Sequence, residues 1–570
     1  MKNWAYLLIA VAGAVLLAVI ATTTPRPAAQ DAPPTEFSAT RAMADVREIA
    51  RAPHPTGSAE NARVRAYLTA RLQSLGMTVT TSSAPVGARA QARLDKWRGS
   101  AEPARAINLI ATLPGRDPGK PALLLMAHHD TVWGSPGAAD DTAGVASILE
   151  TVRAIRASGV QPERTLMVLL TDGEELGLDG AEQFFRQDPA RARVGVIINL
   201  ETRGGGGRAS MFETGDQNGA MIDLFAGAVR RPVGTSLSVF VYNHLPNSTD
   251  YTVAKRQDVP GFNFAFIGRS GLYHSPLATP DALDQGALQD MGRQTLDLSR
   301  ALLATPQLPG KAPDRVFYDL FGLAFVAYAA WAGWLFVIGA AAAYGYAGWG
   351  GSWRNFLPGV AVSLLLAVLS GVLLYLGNLA SGSGGETNYY DRLAAIPRLE
   401  LQAALLCLTA AALILGRPVK REALPAMVAG MAAPFLMLAA VAQAMAPTAA
   451  FPLYLPLLLG GIGAAVTRWR GPRLGLWVSA AAAALGAGYM LTMGHALFQA
   501  VGPGMPFAML LPLGLSAVLI LPLIPEIPQR GAMRRAALLA GLFAVFALAI
   551  ALWVRFDPIA PSVAVYSSDH

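Results

Sequence analysis

A mixed, mostly parallel α/β sheet flanked by helices, followed by a polytopic α-helical membrane domain, is the architecture that three observations predict. Between residues 36 and 310, short apolar runs alternate with helical patterns, as in a sheet covered on both faces. Beyond residue 311 these give way to eight apolar stretches of membrane-spanning length. Several of the short runs end on His, Asp or Glu, where α/β sheets place their sites.

Composition excludes a purely soluble chain. Of 570 residues, 53% are hydrophobic and the mean hydropathy is +0.38, with the excess at the start and after about residue 315. The net charge of +7 does not mark a nucleic-acid partner. Residues 1 to 310 are nearly balanced, and the surplus comes from Lys and Arg between hydrophobic segments, where positive charge sets membrane topology. Cys407 is the single cysteine, so an intrachain disulfide is excluded. Nothing in the residues sets an oligomeric state.

In chain order, Lys2 precedes an apolar run from Trp4 to Ala21, and a polar, Pro-rich linker follows over 22–35. No small-x-small cleavage site closes the run, which favours an uncleaved anchor over 1–21 rather than a signal peptide. The domain at 36–310 has helix patterns at Thr40–Ala50 and Ser58–Leu75. Strands are expected at Met77–Thr81, Ala106–Leu113, Ala122–Ala127, Thr165–Thr171, Val194–Leu200 and Gly261–Ile267. A second linker is expected at 311–319, then a membrane domain over 320–555 and a tail over 556–570. Its eight spans fall at about 320–343, 356–380, 400–416, 425–447, 450–467, 474–498, 505–525 and 536–554, making nine with the first.

Loop charge gives the orientation. With Lys2 inside, cytoplasmic loops hold Arg354; Arg417, Lys420 and Arg421; Arg468, Arg470 and Arg473; and Arg530, Arg534 and Arg535. The opposite short loops hold only Arg392 and Arg398, with Arg555 at the C-terminal exit. The N-terminus is therefore expected in the cytoplasm, and the 36–310 domain and the C-terminus outside it. An Ala-rich, compact chain of this kind suits a bacterial inner membrane. Trp331, Trp334, Trp349 and Trp353 suit interface anchors, and the spans are nearly free of ionisable residues, with His495 as the main exception. That scarcity argues against an ion-coupled transporter.

The chemistry centres on Ala122–Glu150. The apolar run Leu123–Met126 leads into His128-His129-Asp130, and a Gly, Ser and Pro-rich loop then delivers Asp140-Asp141. An amphipathic helical pattern follows over Thr142–Ala157, with Asp141 or Thr142 as its cap. Further on, Leu166–Leu170 runs into Thr171-Asp172-Gly173-Glu174-Glu175, Val196–Leu200 ends on Glu201, and Phe262–Ile267 leads to Tyr273-His274. Imidazoles and carboxylates at four strand ends suggest a divalent cation, with one of two adjacent carboxylates on the metal and its neighbour on the water.

These residues resemble the zinc-dependent exopeptidases that include bacterial leucyl aminopeptidases, glutamate carboxypeptidase and glutaminyl cyclase. The likeness covers roughly residues 40 to 300 and includes HPTGSAENARVRAYLTARLQSLG, NLIATLPG and the ordered set HHD, AADDTAG, EELG, NLE and YH. The nine-span layout and the NLE with its Gly-rich turn, Asn199 to Gly207, are similar to the membrane-bound branch of vacuoles and the endoplasmic reticulum. The resemblance implies two zinc ions per chain, or one in the cyclase type. His128 and Glu201 would hold the first, Glu175 and His274 the second, and Asp140, four residues before Gly144, would bridge them. It further implies Glu174 as general base and Asp130 as the partner that orients His128. Asp250 and Tyr251 lie in a stretch resembling a substrate-pocket loop. Glu201 departs from the Asp of many soluble members, and Ser275-Pro276-Leu277 departs from the usual pattern after the histidine.

Other residues read more plainly. His129 sits between ligand and partner as a neighbour, His54 and His244 suit surface or packing roles, and Gly204–Gly207 lacks the Lys-Ser/Thr of a phosphate loop and reads as a flexible turn at the cleft rim. The expected activity is a membrane-anchored zinc aminopeptidase acting on peptides with a free N-terminus. Glutaminyl cyclase chemistry is the alternative within the fold. A non-catalytic receptor or transporter with a relic domain is the alternative outside it, against which stands a complete set of candidate ligands.

Overall fold

The computed structural model describes residues 2–98, 101–385, 389–416, 419–420, 422–525 and 531–556. Arg417, Arg421, Arg530 and the tail beyond Phe556 lie outside them. The described chain divides into two units, one of 23–327 with the short helix Tyr389–Ala394, the other of 1–22 with the remainder beyond 328.

The first unit is built on a seven-stranded sheet. Its strands are β1 (Thr78–Pro85), β2 (Arg105–Leu113), β3 (Ala122–His128), β4 (Leu166–Thr171), β5 (Val194–Thr202), β6 (Ser210–Thr214) and β7 (Gly261–Phe266), in the order β1-β2-β4-β3-β5-β7-β6. The four central strands are parallel, while β1, β2 and β6 add antiparallel edges. All six expected strands are present; β6, short and edge-placed, carried no clear period-2 signal.

The continuous apolar run in β3 follows from burial on both faces. Leu123, Leu125 and Ala127 enter a core with Val46, Ile148, Leu149 and Leu288, from the helices Ala39–Ile49, Thr142–Ala157 and Gln285–Ala304. Leu124 and Met126 pack on the opposite side with Phe184, Phe185 and Ala254, from Asp179–Gln187 and Asp250–Lys255. Ser38 and Ser58 cap the first two helices of the unit by accepting from the amides of Arg41 and Asn61.

The stretch expected as the start of a span at 320 folds otherwise. Strands β8 (Arg315–Leu320) and β9 (Ala324–Ala329) pair. Phe321 and Gly322 turn between them at φ +58° and +68°, the backbone of a tight hairpin. Apolar character alone does not separate a short strand from a helix, so the span begins later, at Ala330–Gly348.

The second unit holds, among the described residues, nine helices long and apolar enough to cross a membrane. Close approach between them rests on small residues: a Cβ on Gly488 would lie 3.1 Å from the Ala14 carbonyl oxygen and 3.2 Å from Leu17 Cβ. Trp331, Trp334, Trp349 and Trp353 are all exposed near helix ends. His495 is not isolated: its Nδ1 lies 2.9 Å from Oε1 of Glu400, in the helix Ile396–Leu415. The expected start at residue 400 had left that acid at the edge of its span.

Candidate metal centre

Each parallel strand delivers its chemistry at its C-terminal end. His128 closes β3, Glu174 and Glu175 follow β4, Glu201 lies at the end of β5, and His274 follows β7. From β3 the chain crosses to β4 on one side, whereas from β5 it runs to β6 at the far edge and back to β7 on the other. The loops leaving β3 and β5 therefore diverge and open a crevice, the usual ligand position in such sheets. The β3 loop returns to it with Asp140 and Asp141, whose peptide bond is cis.

Asp140 stands between the two imidazoles. Its Oδ1 lies 3.2 Å from His128 Nε2 and its Oδ2 lies 3.2 Å from His274 Nε2. Glu175 Oε1 is 3.1 Å from His274 Nε2, and Glu201 Oε2 is 3.9 Å from His128 Nε2. All five expected ligands thus meet. Donors held about 2.0–2.1 Å from a tetrahedral ion sit about 3.3 Å from one another, close to these separations. Glu175 Oε1 is buried without a hydrogen-bond partner, and a set of imidazoles and carboxylates lacking thiolate suits zinc. The residues present therefore fit a metal.

The electrostatics are those of donors pressed together. Burial opposes charge on Asp140, yet the two histidines bring its carboxyl down to about 2. Burial likewise opposes charge on His274, which Glu175 and Asp140 nonetheless raise to about 9. Burial pushes Glu201 up to about 8 and Glu174 well above the carboxylate range. A cation held by His274 and Glu201 therefore displaces protons that their surroundings favour.

Neighbouring groups fix the donors. His128 Nδ1 lies 3.0 Å from the main-chain carbonyl of Asp130, whereas the Asp130 carboxylate is 3.6 Å away, beyond hydrogen-bond reach. Burial opposes charge on His128, yet the Asp130 and Asp140 carboxylates raise it well above its usual value. Asp130 also accepts from the Glu174 and Glu175 amides at 3.1 and 3.3 Å, clamping the turn that carries both acids. Leu176 buries beside Trp97 and Leu94 and pins the same turn. Asp141 also comes within reach of His128 and Glu201. Its oxygens, however, accept from the Gly144 amide at 3.1 Å and the His128 amide at 3.3 Å, so it caps the helix Thr142–Ala157. Gly144 permits this, because a Cβ there would lie 2.4 Å from Asp141 Oδ1.

Asn199, of the NLE motif, supports Glu201. Its Nδ2 donates to Glu201 Oε1 at 3.1 Å and to Asn263 Oδ1 at 3.0 Å, and Asn263 donates onward to Glu213 and Thr249. This buried chain holds Glu201, whose longer arm would otherwise be loose. Replacing Asn199 with Leu is expected to weaken zinc binding by about tenfold, as measured by chelator competition.

Of the remaining candidates, Asp250 is buried near the cluster, accepting from Thr171 Oγ1, and burial raises it to about 6. Tyr251 is a correction: fully buried in the core beneath β3 with its hydroxyl on the Val259 carbonyl, it is closed to a substrate. Its apolar ring was drawn inward by the same packing that set its helix. His129 faces away, with Nε2 3.1 Å from the Ile107 carbonyl, and His244 is exposed. Gly204–Gly207 is paired to the β7 loop, with the Gly206 amide 3.0 Å from the Gly268 carbonyl. A Cβ on Gly204 would lie 2.2 Å from that oxygen, so close approach of two backbones explains the glycines.

His54 is buried, and desolvation lowers it from 6.5 to about 4. Between those values the unfolded chain binds a proton that the folded chain does not, so stability is complete above pH 6.5 and falls with pH. The expected loss by pH 4 is about 3 kcal/mol. Thermal unfolding of the full chain across that range should show a flatter acid limb in His54→Gln.

Residues 108–299 match Peptidase family M28. Over 301 residues the chain is 32% identical to the vacuolar membrane protease of Eremothecium gossypii, an alignment covering 51% of this chain and 29% of that one. Over 228 residues it is 29% identical to human endoplasmic reticulum metallopeptidase 1, covering 39% and 25%. The chain thus spans less than a third of the length of these relatives. Among solved structures, the aminopeptidase from Aneurinibacillus sp. strain AM-1 aligns with 16% identity and TM-score 0.38, over 49% of this chain and 98% of that chain. Porphyromonas gingivalis glutaminyl cyclase aligns with 19% identity and TM-score 0.38, over 46% and 98%.

Proposed function

We propose that this chain is a membrane-anchored aminopeptidase using two zinc ions, one on His128 and Glu201, the other on Glu175 and His274, with Asp140 shared. The observation that carries the reading is Asp140, which presents one oxygen to each histidine at 3.2 Å. Two ions spaced by a carboxylate need that arrangement.

When bound, the ions supply electrophilic polarisation of the scissile carbonyl and acidify the attacking water. The protein's own residues do the rest. Glu174, partly exposed at the crevice and held by its amide on Asp130, takes the proton from the water and returns it to the leaving amine.

The same reading places the domain outside the cytoplasm of a bacterial inner membrane, with the N-terminus inside. Lys and Arg distribution supports it. Chain connectivity supports the span count and not the side: the helix Tyr389–Ala394, which folds with the domain, follows two further candidate spans after the domain ends, and an even number returns the chain to the same side.

Metal analysis of the purified full chain, paired with hydrolysis of N-terminally free and blocked peptides, tests the proposal. Two zinc ions per chain and release of single residues from free peptides alone are expected. Equal cleavage of blocked peptides would reject the aminopeptidase reading, and release of pyroglutamate would replace it with cyclase chemistry.

A further inference from the structure

The helix Tyr389–Ala394 belongs to the peptidase unit, although the chain before and after it belongs to the unit of candidate spans. It packs on the 3-10 turn Ser270–Leu272, just ahead of His274. A Cβ on Gly271 would lie 2.8 Å from both Cα and Cβ of Ala394, so the glycine admits the close approach. Tyr389 accepts a hydrogen bond from the Arg203 guanidinium, two residues past Glu201. Tyr390 is buried, and its hydroxyl lies 3.2 Å from His274 Nδ1.

His274 is held from several sides. Tyr273 stacks on its ring at 3.7 Å between centroids, and its backbone takes φ +51°, a value side chains rarely adopt and which persists only where the surroundings impose it. With Nδ1 toward Tyr390, Nε2 faces Asp140 and Glu175. An imidazole that coordinates through Nε2 must carry its proton on Nδ1, and an oxygen acceptor there fixes both tautomer and ring direction. His128 shows the same arrangement, with Nδ1 at 3.0 Å from the Asp130 carbonyl and Nε2 toward Asp140. The two histidines thus share one pattern, except that the acceptor for His274 comes from 116 residues further along the chain.

We propose that Tyr390 is a positioning residue of the metal centre: its hydroxyl accepts from His274 Nδ1–H and directs Nε2 to the ion, so that residues between the third and fourth candidate spans complete the site. This rests on the reading that His274 holds a metal. It also means that the peptidase unit is not contained in residues 23–327 alone.

The test uses the full chain. Tyr390→Phe removes the hydroxyl and keeps the ring; Tyr389→Phe removes a hydroxyl from the same helix that does not reach His274. Zinc affinity by chelator competition is expected to fall by about 10- to 100-fold in Tyr390→Phe and to stay at the wild-type value in Tyr389→Phe. The kcat of Tyr390→Phe should fall more than its KM changes. Wild-type zinc affinity in Tyr390→Phe overturns the proposal, and so does an equal loss in both variants, which would report helix docking instead of the hydroxyl. Failure of the wild-type chain to bind zinc sinks the metal reading itself, a result distinct from either.

Discussion

Glu174→Gln is expected to retain zinc while peptide hydrolysis falls by at least about a hundredfold, the size of a general-base contribution. Glutamine keeps the shape and the main-chain bond from residue 174 to Asp130 Oδ1, at 3.1 Å, so the turn should stay in place. What it loses is the capacity to accept a proton. The position is suited to that task, since Glu174 is the partly exposed member of the pair while Glu175 is buried against His274. Measuring kcat/KM together with zinc content separates the roles: lost turnover with full metal identifies a base, and lost metal would make Glu174 a ligand. Unchanged hydrolysis would remove it from the mechanism.

The second large effect is expected at Asp140. Asp140→Asn leaves one oxygen where two faced separate histidines at 3.2 Å, and removes the negative charge between them. Zinc affinity should weaken by more than about a hundredfold, beyond the loss caused by a group that only supports a ligand, and hydrolysis should go with it. Asp141→Ala is the informative contrast. Asp141 accepts from the amides of Gly144 and His128 and caps a helix, so its loss should cost about 1 kcal/mol of stability while zinc stoichiometry stays the same. Reversed outcomes would exchange the roles of the two aspartates. Dialysis against a chelator followed by metal titration and thermal unfolding reads both variants.

Much of the site was legible because α/β sheets end their strands at one edge. An apolar run followed at once by His or Glu is a local pattern, and four such patterns in one chain indicated where imidazoles and acids would gather. Span number was legible for a similar reason, since spanning length is a property of the run itself. Tyr251 was misread because a residue beside a site and a residue beneath it look alike in one dimension. The β8–β9 hairpin was missed because its apolar residues continue into those of the next helix.

The sequence by itself determined the sheet, the membrane helices and the identity of the acids and histidines, all of which follow from short-range periodicity and residue chemistry. Only the tertiary structure decided which oxygen serves which donor. It set the carbonyl of Asp130 against His128 Nδ1, assigned Asn199 to Glu201, and brought Tyr390 to His274 across 116 positions. Hydrogen bonds form over about 3 Å of space regardless of separation along the chain, so packing sets those pairings and no local pattern encodes them.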